Sequence, residues 1–262
     1  KSFKRKFYKA VFLDLLMHDI FSKMSQTDKL HFSHLFLNGI AHIQHHYLLN
    51  SKLNSSTIIK NPEWYIGKNE DPFFDILIYY DKIIKDYFSD ESREIVIATG
   101  LTQVPYDRMK FYYRLKNHSN FLNNINIQFK RVHPRMSRDF LILFNDNSSA
   151  SYAEKLLANI EDQNKNKLFG IIENRGNELF VTLTYPYEIK TDTKFNFNGS
   201  EIKNFKSEVS LVAVKNGMHS PRGFIYSSNH FRDYLFQDKN EIDIKNINRS
   251  IVNFFKNEKN KN

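Results

Sequence analysis

Apolar positions along the chain follow two different periods, and these predict which segments are helices and which are strands. Residues 5–24 and 72–88 place apolar side chains at helical spacing, which is typical of amphipathic helices. Residues 94–99 and 208–214 are short, apolar and rich in β-branched residues, which is typical of buried strands in a parallel sheet. Residues 32–37 are also predicted to be a short buried strand. We therefore expect an α/β core in which helices flank a mostly parallel sheet.

The middle of the chain follows a different order of elements. Two helical patterns alternate there with a strand pattern, and a hairpin follows around the turn residues Asn174–Asn177. This α-β-α-β-β order predicts a small α+β cap subdomain inserted at residues 110–188. Residues 1–109 and 189–262 are then expected to form the α/β core.

Composition adds a preference for anionic partners. Lysine and arginine number 38 against 29 acidic residues, which gives a net charge of +9. The basic residues are scattered among Asn and Ile, however, which is also the composition that an AT-rich genome produces. No apolar run approaches the roughly 20 residues that span a bilayer, and no signal-type apolar core follows Lys1–Lys6. We expect a cytoplasmic protein without a membrane span.

The chain has no cysteine, which excludes thiol chemistry, and its dense group of histidines indicates imidazole chemistry instead. Without cysteine there are no disulfides, zinc–thiolate sites or cysteine nucleophiles. Half of the ten histidines are His31, His34, His42, His45 and His46. Imidazole is the commonest metal ligand and the usual acid or base near neutral pH. We predict that His42 and one of the adjacent residues His45 and His46 reach a site, and His46 is the candidate. His31 and His34 are expected to pack against other residues or to lie on the surface.

Candidate site residues follow three predicted strands. Asn38 and His42 come after the first, Thr99 and Gln103 after the second, and His219 after the third. Because loops at the carboxyl ends of parallel strands converge at one sheet edge, we expect these side chains to meet there. Thr99 and Gln103 are candidates for hydrogen bonding an anion; for each residue the alternative is a structural role in a turn, a cap or the core.

Two arginines are further candidates for binding an anionic substrate. Arg222 follows His219 closely, and its guanidinium could bind phosphate or sulfate through two hydrogen bonds. Arg135 lies in a basic stretch of the predicted cap, Lys130–Arg138, which could overhang the site. In both cases the alternative is a solvated surface charge.

Three short motifs carry a resemblance to a known family. They are Asn38-Gly-Ile-Ala-His42, Ala98-Thr99-Gly100 and Gly217-Met-His219. Their order resembles the alkaline phosphatase superfamily, in particular its type I phosphodiesterase/nucleotide pyrophosphatase branch. That family has Asp-x-x-x-His, Asp-His-Gly and Gly-x-His at these places and binds two zinc ions. The resemblance implies an alkaline-phosphatase-like core and a zinc or other divalent metal site at His42 and His219, with Asn38 as a further ligand. His46 is the fourth candidate metal ligand.

The chain departs from the family pattern at its metal ligands. Asn38 stands in the place of a carboxylate, and Thr99-Gly100 stands in the place of Asp-His. The nucleophile of the family would lie upstream of Lys1. Two imidazoles without carboxylates make a weak zinc site.

Three functions follow from these observations. The first is a metal-dependent hydrolase of phosphate or sulfate esters or phosphodiesters of glycan or nucleotide type, acting on an anionic small-molecule or glycan-linked ester. The second is a catalytically degenerate relative that binds an anion or serves as a scaffold. The third, a nucleic-acid binder, is weakened because the predicted cap lacks an aromatic RNA-binding signature. The sequence does not indicate the oligomeric state.

Overall fold

Helices dominate the first part of the chain and strands its middle. The structure is a computed structural model that describes residues 7–27, 30–55, 58–236 and 241–259. Its helices are α1 (Tyr8–Thr27), α2 (Gly39–Tyr47), α3 (Pro72–Phe88), α4 (His118–Asn124), α5 (Asn147–Ala158), α6 (Phe205–Glu208), α7 (Asn229–Phe236) and α8 (Asn246–Lys259). Its strands are β1 (Val96–Thr99), β2 (Thr102–Leu115), β3 (Arg131–Pro134), β4 (Asp139–Leu143), β5 (Glu161–Asp162), β6 (Ile171–Asn174), β7 (Glu178–Thr182), β8 (Phe195–Phe197), β9 (Ser200–Ile202), β10 (Val209–Ser220) and β11 (Phe224–Ser227).

Two compact units divide the chain. Unit 1 comprises residues 1–106 and 217–262, and unit 2 comprises residues 107–216. Strands β2 and β10 pair with each other, and each of them contributes residues to both units. Contacts therefore group residues 189–216 with the segment that the sequence assigned to a cap.

Helices α1, α2 and α3 form the helical part of unit 1. They pack against one another through buried apolar side chains such as Val11, Ile43 and Ile76. Strand β1 pairs antiparallel with β11 beside them. Helices α7 and α8 pack together at the end of the chain.

Unit 2 is built around a four-stranded antiparallel sheet in the order β3-β4-β7-β6. Helix α5 packs on β6 and β7. Its core contains fully buried phenylalanines that meet edge to face, among them Phe121, Phe140 and Phe169. Such contacts add specific geometry to the free energy gained from apolar burial.

The predicted fold class is wrong. The described sheets are small and antiparallel, and no large parallel sheet is found among the residues that the structure describes. Residues 94–99 include β1, but this strand pairs antiparallel with β11, and it is partly buried in its first half and exposed in its second half. Residues 32–37 form no strand at all. A short apolar run does not itself specify a partner strand, and so local pattern could not establish a parallel, alkaline-phosphatase-like sheet.

Elements with strong local signals are confirmed. Helix α3 covers Pro72–Phe88 as predicted, with Pro72 in its first turn and the Asp71 carboxylate accepting a hydrogen bond from the Phe74 N–H at 3.0 Å. The hairpin at Asn174–Asn177 joins β6 to β7, and Gly176 has the positive φ of 86° that its turn requires. Within the part of the chain that is described, no helix combines the length and apolar character needed to cross a membrane.

Candidate functional site: a histidine cluster

Helix α2 carries most of the clustered histidines, and a buried carboxylate fixes its start. Asp14 of α1 accepts hydrogen bonds from the backbone N–H groups of Gly39 at 2.7 Å and Asn38 at 3.3 Å. A negative charge at this end of a helix also interacts favourably with the helix dipole. The hydroxyl group of Tyr80 in α3 donates a hydrogen bond to the same carboxylate. Burial, together with this bond, raises the pKa of Tyr80 above its ordinary value.

Gly39 is required where α2 meets Asp14. A Cβ atom there would lie 2.3 Å from Asp14 Oδ2 and 2.9 Å from Ile76 Cδ1. The first turn of α2 is therefore held by contacts to both α1 and α3, and the orientation of its later residues follows from it.

The helical period brings three histidines to the outer side of α2. Ile43 and Tyr47 are buried, whereas His42 is exposed and His45 and His46 are partly exposed. His42 and His46 lie one turn apart with ring centroids 4.7 Å apart, and the rings of His45 and His46 are 6.4 Å apart. The three rings therefore form one continuous surface.

His219 of β10 joins this surface through His45. The Nε2 atoms of the two rings are 3.0 Å apart, and Nδ1 of His45 lies 2.9 Å from the carbonyl oxygen of Gly217. We call His42, His45, His46 and His219 the histidine cluster. All four belong to unit 1.

Gly217 allows α2 and β10 to approach each other closely. A Cβ atom at this position would lie 2.5 Å from Gln103 Oε1 and 2.9 Å from the backbone oxygen of Gln44. Gln103 donates its side-chain N–H to the carbonyl of Ala41 at 2.9 Å. Its Oε1 is buried without a hydrogen-bond partner among the described residues. The site is thus built from α2, the start of β2 and the end of β10.

The hydrogen bonds fix where protons can sit in the His45–His219 pair. The Gly217 carbonyl can only accept, so Nδ1 of His45 carries a proton. When both rings are neutral, Nε2 of His45 must accept a hydrogen bond from the Nε2–H of His219. When the pair takes up one proton, either ring can donate across the same contact. The pair can therefore gain and pass on a single proton without rearranging.

The sequence-predicted residues are only partly brought together. His42, His46, His219 and Gln103 lie at or beside the histidine cluster, but the ring in contact with His219 is His45. The exposed Asn38 contributes its backbone N–H to Asp14 and makes no side-chain cap. The sequence could not distinguish His45 from His46, whereas the helical phase of α2 does.

The remaining candidates have local structural roles. Thr99 Oγ1 accepts a hydrogen bond from the Phe224 N–H at 2.9 Å and thereby belongs to the β1–β11 pair. Arg222 lies 3.8 Å from Glu241, with both side chains largely exposed. Arg135 is exposed in unit 2, where its backbone N–H donates to the carbonyl of Asp139 at 2.8 Å.

The described residues do not fit a zinc site. They contain no group of three or more histidine, aspartate or glutamate side chains placed to hold one metal ion. The imidazoles of His45 and His219 use their two facing nitrogens to contact each other. Zinc sites in proteins use at least three protein ligands. Zinc therefore remains a prediction from the resemblance, and no chemical step is assigned to it.

A second polar cluster in unit 1 was missed by the sequence analysis. His18 of α1 accepts a hydrogen bond from the Tyr87 hydroxyl at Nδ1 (2.9 Å), and its Nε2 lies 3.3 Å from Asp86 Oδ2. Ser22, one turn along α1, is 3.4 Å from the same Nδ1. These residues line a cleft of about 470 Å³ together with Arg93. Both ring nitrogens of His18 contact α3, so this imidazole connects α1 to α3. The sequence signal for this cluster was a histidine on the buried side of an apolar helix.

Comparison with known proteins adds no family to this description. The chain was compared with protein-family models, with curated proteins and with solved structures, and none of the three comparisons found a match. The geometry of the histidine cluster is therefore the basis on which a function can be proposed.

Proposed function

We propose that the histidine cluster is the working site of this protein and that it hydrolyses a phosphate or sulfate ester of an anionic small molecule or glycan. The observation that carries the proposal is the 3.0 Å contact between the Nε2 atoms of His45 and His219. Imidazoles change charge near neutral pH, which suits them to accept and return a proton during one turnover. The net charge of +9 favours an anionic substrate.

The hydrogen-bond pattern suggests how the pair divides the work. In the neutral pair His219 donates from Nε2, and so its Nδ1 carries a lone pair. Because His219 is exposed, this nitrogen can take a proton from a water molecule as the water oxygen bonds to phosphorus or sulfur. The charge is shared with His45, whose Nδ1–H is held by the Gly217 carbonyl. The proton then returns to the leaving oxygen as its bond to phosphorus or sulfur breaks.

A hydrolysis screen with matched variants tests this proposal. The substrates are nitrophenyl phosphate, bis-nitrophenyl phosphate and nitrophenyl sulfate, assayed across neutral pH. We expect His219→Gln and His45→Gln each to lower the rate by roughly 10²–10⁴-fold, the usual contribution of a general acid or base. His34→Gln, at an exposed position of the same segment, is the matched control and should keep full activity. Absence of turnover, or turnover that both variants retain, would contradict the proposal.

Metal analysis of the same samples separates two forms of the proposal. Elemental analysis that finds no metal in an active preparation would support catalysis by the histidine pair alone. Near-stoichiometric zinc that is lost in His42→Ala and His219→Ala would instead restore the metal site implied by the sequence resemblance.

A second candidate function is binding of an anionic ester without turnover. It is favoured because the described residues include no group of three side chains that could hold the metal ion of a metal-dependent hydrolase. Titration with inorganic phosphate and sulfate, followed by the NMR signals of the histidine rings, distinguishes the two functions. Saturable shifts of the cluster signals in a protein that hydrolyses none of the three substrates would favour binding alone.

A further inference from the structure

One side of strand β2 is basic along its whole course through unit 2. Phe111, Tyr113 and Leu115 are buried in the core of this unit, so the residues between them point to the other side of the strand. On that side every second position is basic except for one tyrosine, as far as the residue directly after β2: Arg108, Lys110, Tyr112, Arg114 and Lys116. The two end positions are exposed, and the three between them are partly exposed.

Two further cations from other parts of unit 2 lie against the tyrosine of this row. The guanidinium carbon of Arg138 is 3.8 Å from the centroid of the Tyr112 ring, and Nζ of Lys215 in β10 is 5.7 Å from it. Burial, together with the charge of Arg138, lowers the pKa of Lys215. Two like charges are thus held close together in a partly buried place, where a bound anion would stabilise both. We call Arg138, Lys215 and the row on β2 the basic face.

The basic face lacks the acidic partners that other cations of unit 2 have. Within the described residues, no acidic side chain is within ion-pair distance of its arginines or of Lys215. Elsewhere in the unit, Lys165 contacts Glu161 at 2.7 Å and Lys194 contacts Glu201 at 2.9 Å. The positive charge of the basic face is therefore left for an anion from outside the chain.

The linear arrangement of these cations indicates what kind of anion fits. Residues two apart on a strand are separated by about 6.7 Å, so Arg108 and Lys116 lie roughly 27 Å apart. A single small anion cannot contact both ends, whereas a polymer with a phosphate on each unit can. The three arginines of the face have planar guanidinium groups that bind phosphate oxygens through two hydrogen bonds.

We propose that the basic face binds a single-stranded nucleic acid, with the phosphates of the strand lying along β2. Proteins of this kind combine a basic track for the backbone with aromatic rings on which bases stack. Two tyrosines meet this requirement here. Tyr112 is partly exposed in the middle of the face, and the exposed Tyr187 accepts a hydrogen bond from Arg108 at 2.7 Å.

The face could not be recognised from a known RNA-binding signature. Its cations alternate with core residues on β2, and Arg138 and Lys215 join them only in the folded unit. Stacking on tyrosine does not depend on the identity of the base, so we expect little sequence preference.

Fluorescence anisotropy of the whole chain with a labelled oligothymidylate of about 15 nucleotides tests the proposal. We expect binding that weakens as salt is raised, with a logarithmic slope of about 0.7 for each phosphate contacted. Arg114→Gln combined with Arg138→Gln should weaken binding by about tenfold or more and lower this slope by about 1.4. Circular dichroism checks that this double variant is folded.

Two further variants separate the basic face from net charge and from folding. Lys165→Gln combined with Lys194→Gln removes the same charge from another part of unit 2, and this control should keep its affinity within about twofold. Arg108→Gln changes an exposed end of the face without touching a partly buried side chain. It should also weaken binding, by a few-fold.

The proposal would be overturned by a parent chain that does not bind the oligonucleotide at low salt, or by equal losses in the test and control variants. Displacement of the oligonucleotide by micromolar thymidine monophosphate or inorganic phosphate would also overturn it, since the face would then belong to a small phosphorylated ligand. Equal affinity for a duplex of the same length would overturn the assignment to a single strand. None of these variants alters His45 or His219, so the result is independent of any hydrolysis at the histidine cluster.

Discussion

Unit 2 and unit 1 differ in where they place their apolar side chains. Unit 2 is the shorter unit, yet it contains most of the buried apolar residues, including Phe121, Phe140 and Phe195. Most of the exposed large apolar residues belong to unit 1, and they include Phe12 and Phe224. The histidine cluster also lies in unit 1. Unit 2 thus completes its own core, whereas unit 1 leaves both chemistry and apolar surface available to other molecules.

The largest expected effect comes from opening the core of unit 2. Phe140 is fully buried on the central strand β4 and contacts Phe169 and His118 edge to face. Phe140→Ala should lower the free energy of unfolding by about 3–5 kcal/mol, since it removes buried area and leaves a cavity. Urea unfolding followed by circular dichroism measures the change.

The matched substitution in unit 1 is Phe224→Ala, at a residue that is 77% exposed. It should change the free energy of unfolding by less than about 0.5 kcal/mol. Similar losses in the two variants would mean that Phe224 is as well buried as Phe140.

The second prediction concerns the response of unit 2 to acid. His118 is buried, and its desolvation, helped by Arg114, lowers its pKa from 6.5 to about 4. The folded chain therefore keeps this ring neutral at pH values where the unfolded chain protonates it. The contribution of the neutral His118 ring to the free energy of unfolding is fully present above pH 6.5 and is lost as the pH falls towards 4. The total loss is on the order of 3 kcal/mol.

Unfolding free energies measured at several pH values test this sign. His118→Leu should show a smaller decline between pH 6.5 and 4 than the parent chain. His31→Leu changes an exposed ring and should keep the full decline. A parent chain equally stable at both ends of this range would refute the assignment to His118.

Sequence reasoning succeeded where the information is local. Helix α3 is specified by its periodic apolar face, by Pro72 and by the Asp71 cap, and the β6–β7 hairpin is specified by the turn before Glu178. Strand direction is not local information: the partner of β1 is β11, near the other end of the chain. A run of β-branched residues is compatible with parallel and antiparallel partners alike, so the sheet type could not follow from it.

The sequence could indicate which segment supplies the histidines of the candidate site, but not which of their rings contact each other. The density of histidines pointed to the segment that forms α2, and His219 lies against this helix in the structure. The link was expected through His42, because the segment was placed at the end of a strand. Helix α2 instead turns His45 towards β10, and Gly217 permits the approach. That glycine was a sequence signal for close backbone contact.

The third prediction tests how firmly unit 1 holds its histidine cluster. In Gly39→Ala the new Cβ would meet Asp14 Oδ2 and Ile76, and we expect a loss of about 1–3 kcal/mol from overpacking. Because Gly39 begins α2, the ring signals of His45 and His219 should also shift in NMR spectra. In an Asp14→Ala background the same substitution should cost less, since one clashing partner is gone. Equal costs in both backgrounds would show that Asp14 does not fix this helix end.

The smallest expected effects compare one helix cap in each unit. Asp146 caps α5 in unit 2 by accepting hydrogen bonds from the Ser149 N–H at 2.7 Å and the Ser148 hydroxyl at 2.6 Å. These bonds are local to one helix and exposed, and Asp146→Ala should cost about 1 kcal/mol. Asp71→Ala in unit 1 removes a cap of the same kind together with bonds from outside the helix.

Asp71 also accepts hydrogen bonds from the Lys52 N–H at 2.9 Å and from the Ser51 hydroxyl at 3.2 Å. Asp71→Ala should therefore lower the free energy of unfolding more than Asp146→Ala does, even though both residues occupy the same position relative to a helix. Asn replacements keep one acceptor oxygen and should recover most of the stability at Asp146, where Oδ1 accepts both the cap and the Ser148 hydroxyl. They should recover less at Asp71, where Oδ1 accepts the cap and Oδ2 accepts the two bonds from outside the helix. If thermal unfolding gives the same loss for both alanine variants, the Ser51–Lys52 segment is not held by Asp71, and the packing of unit 1 depends on its helices alone.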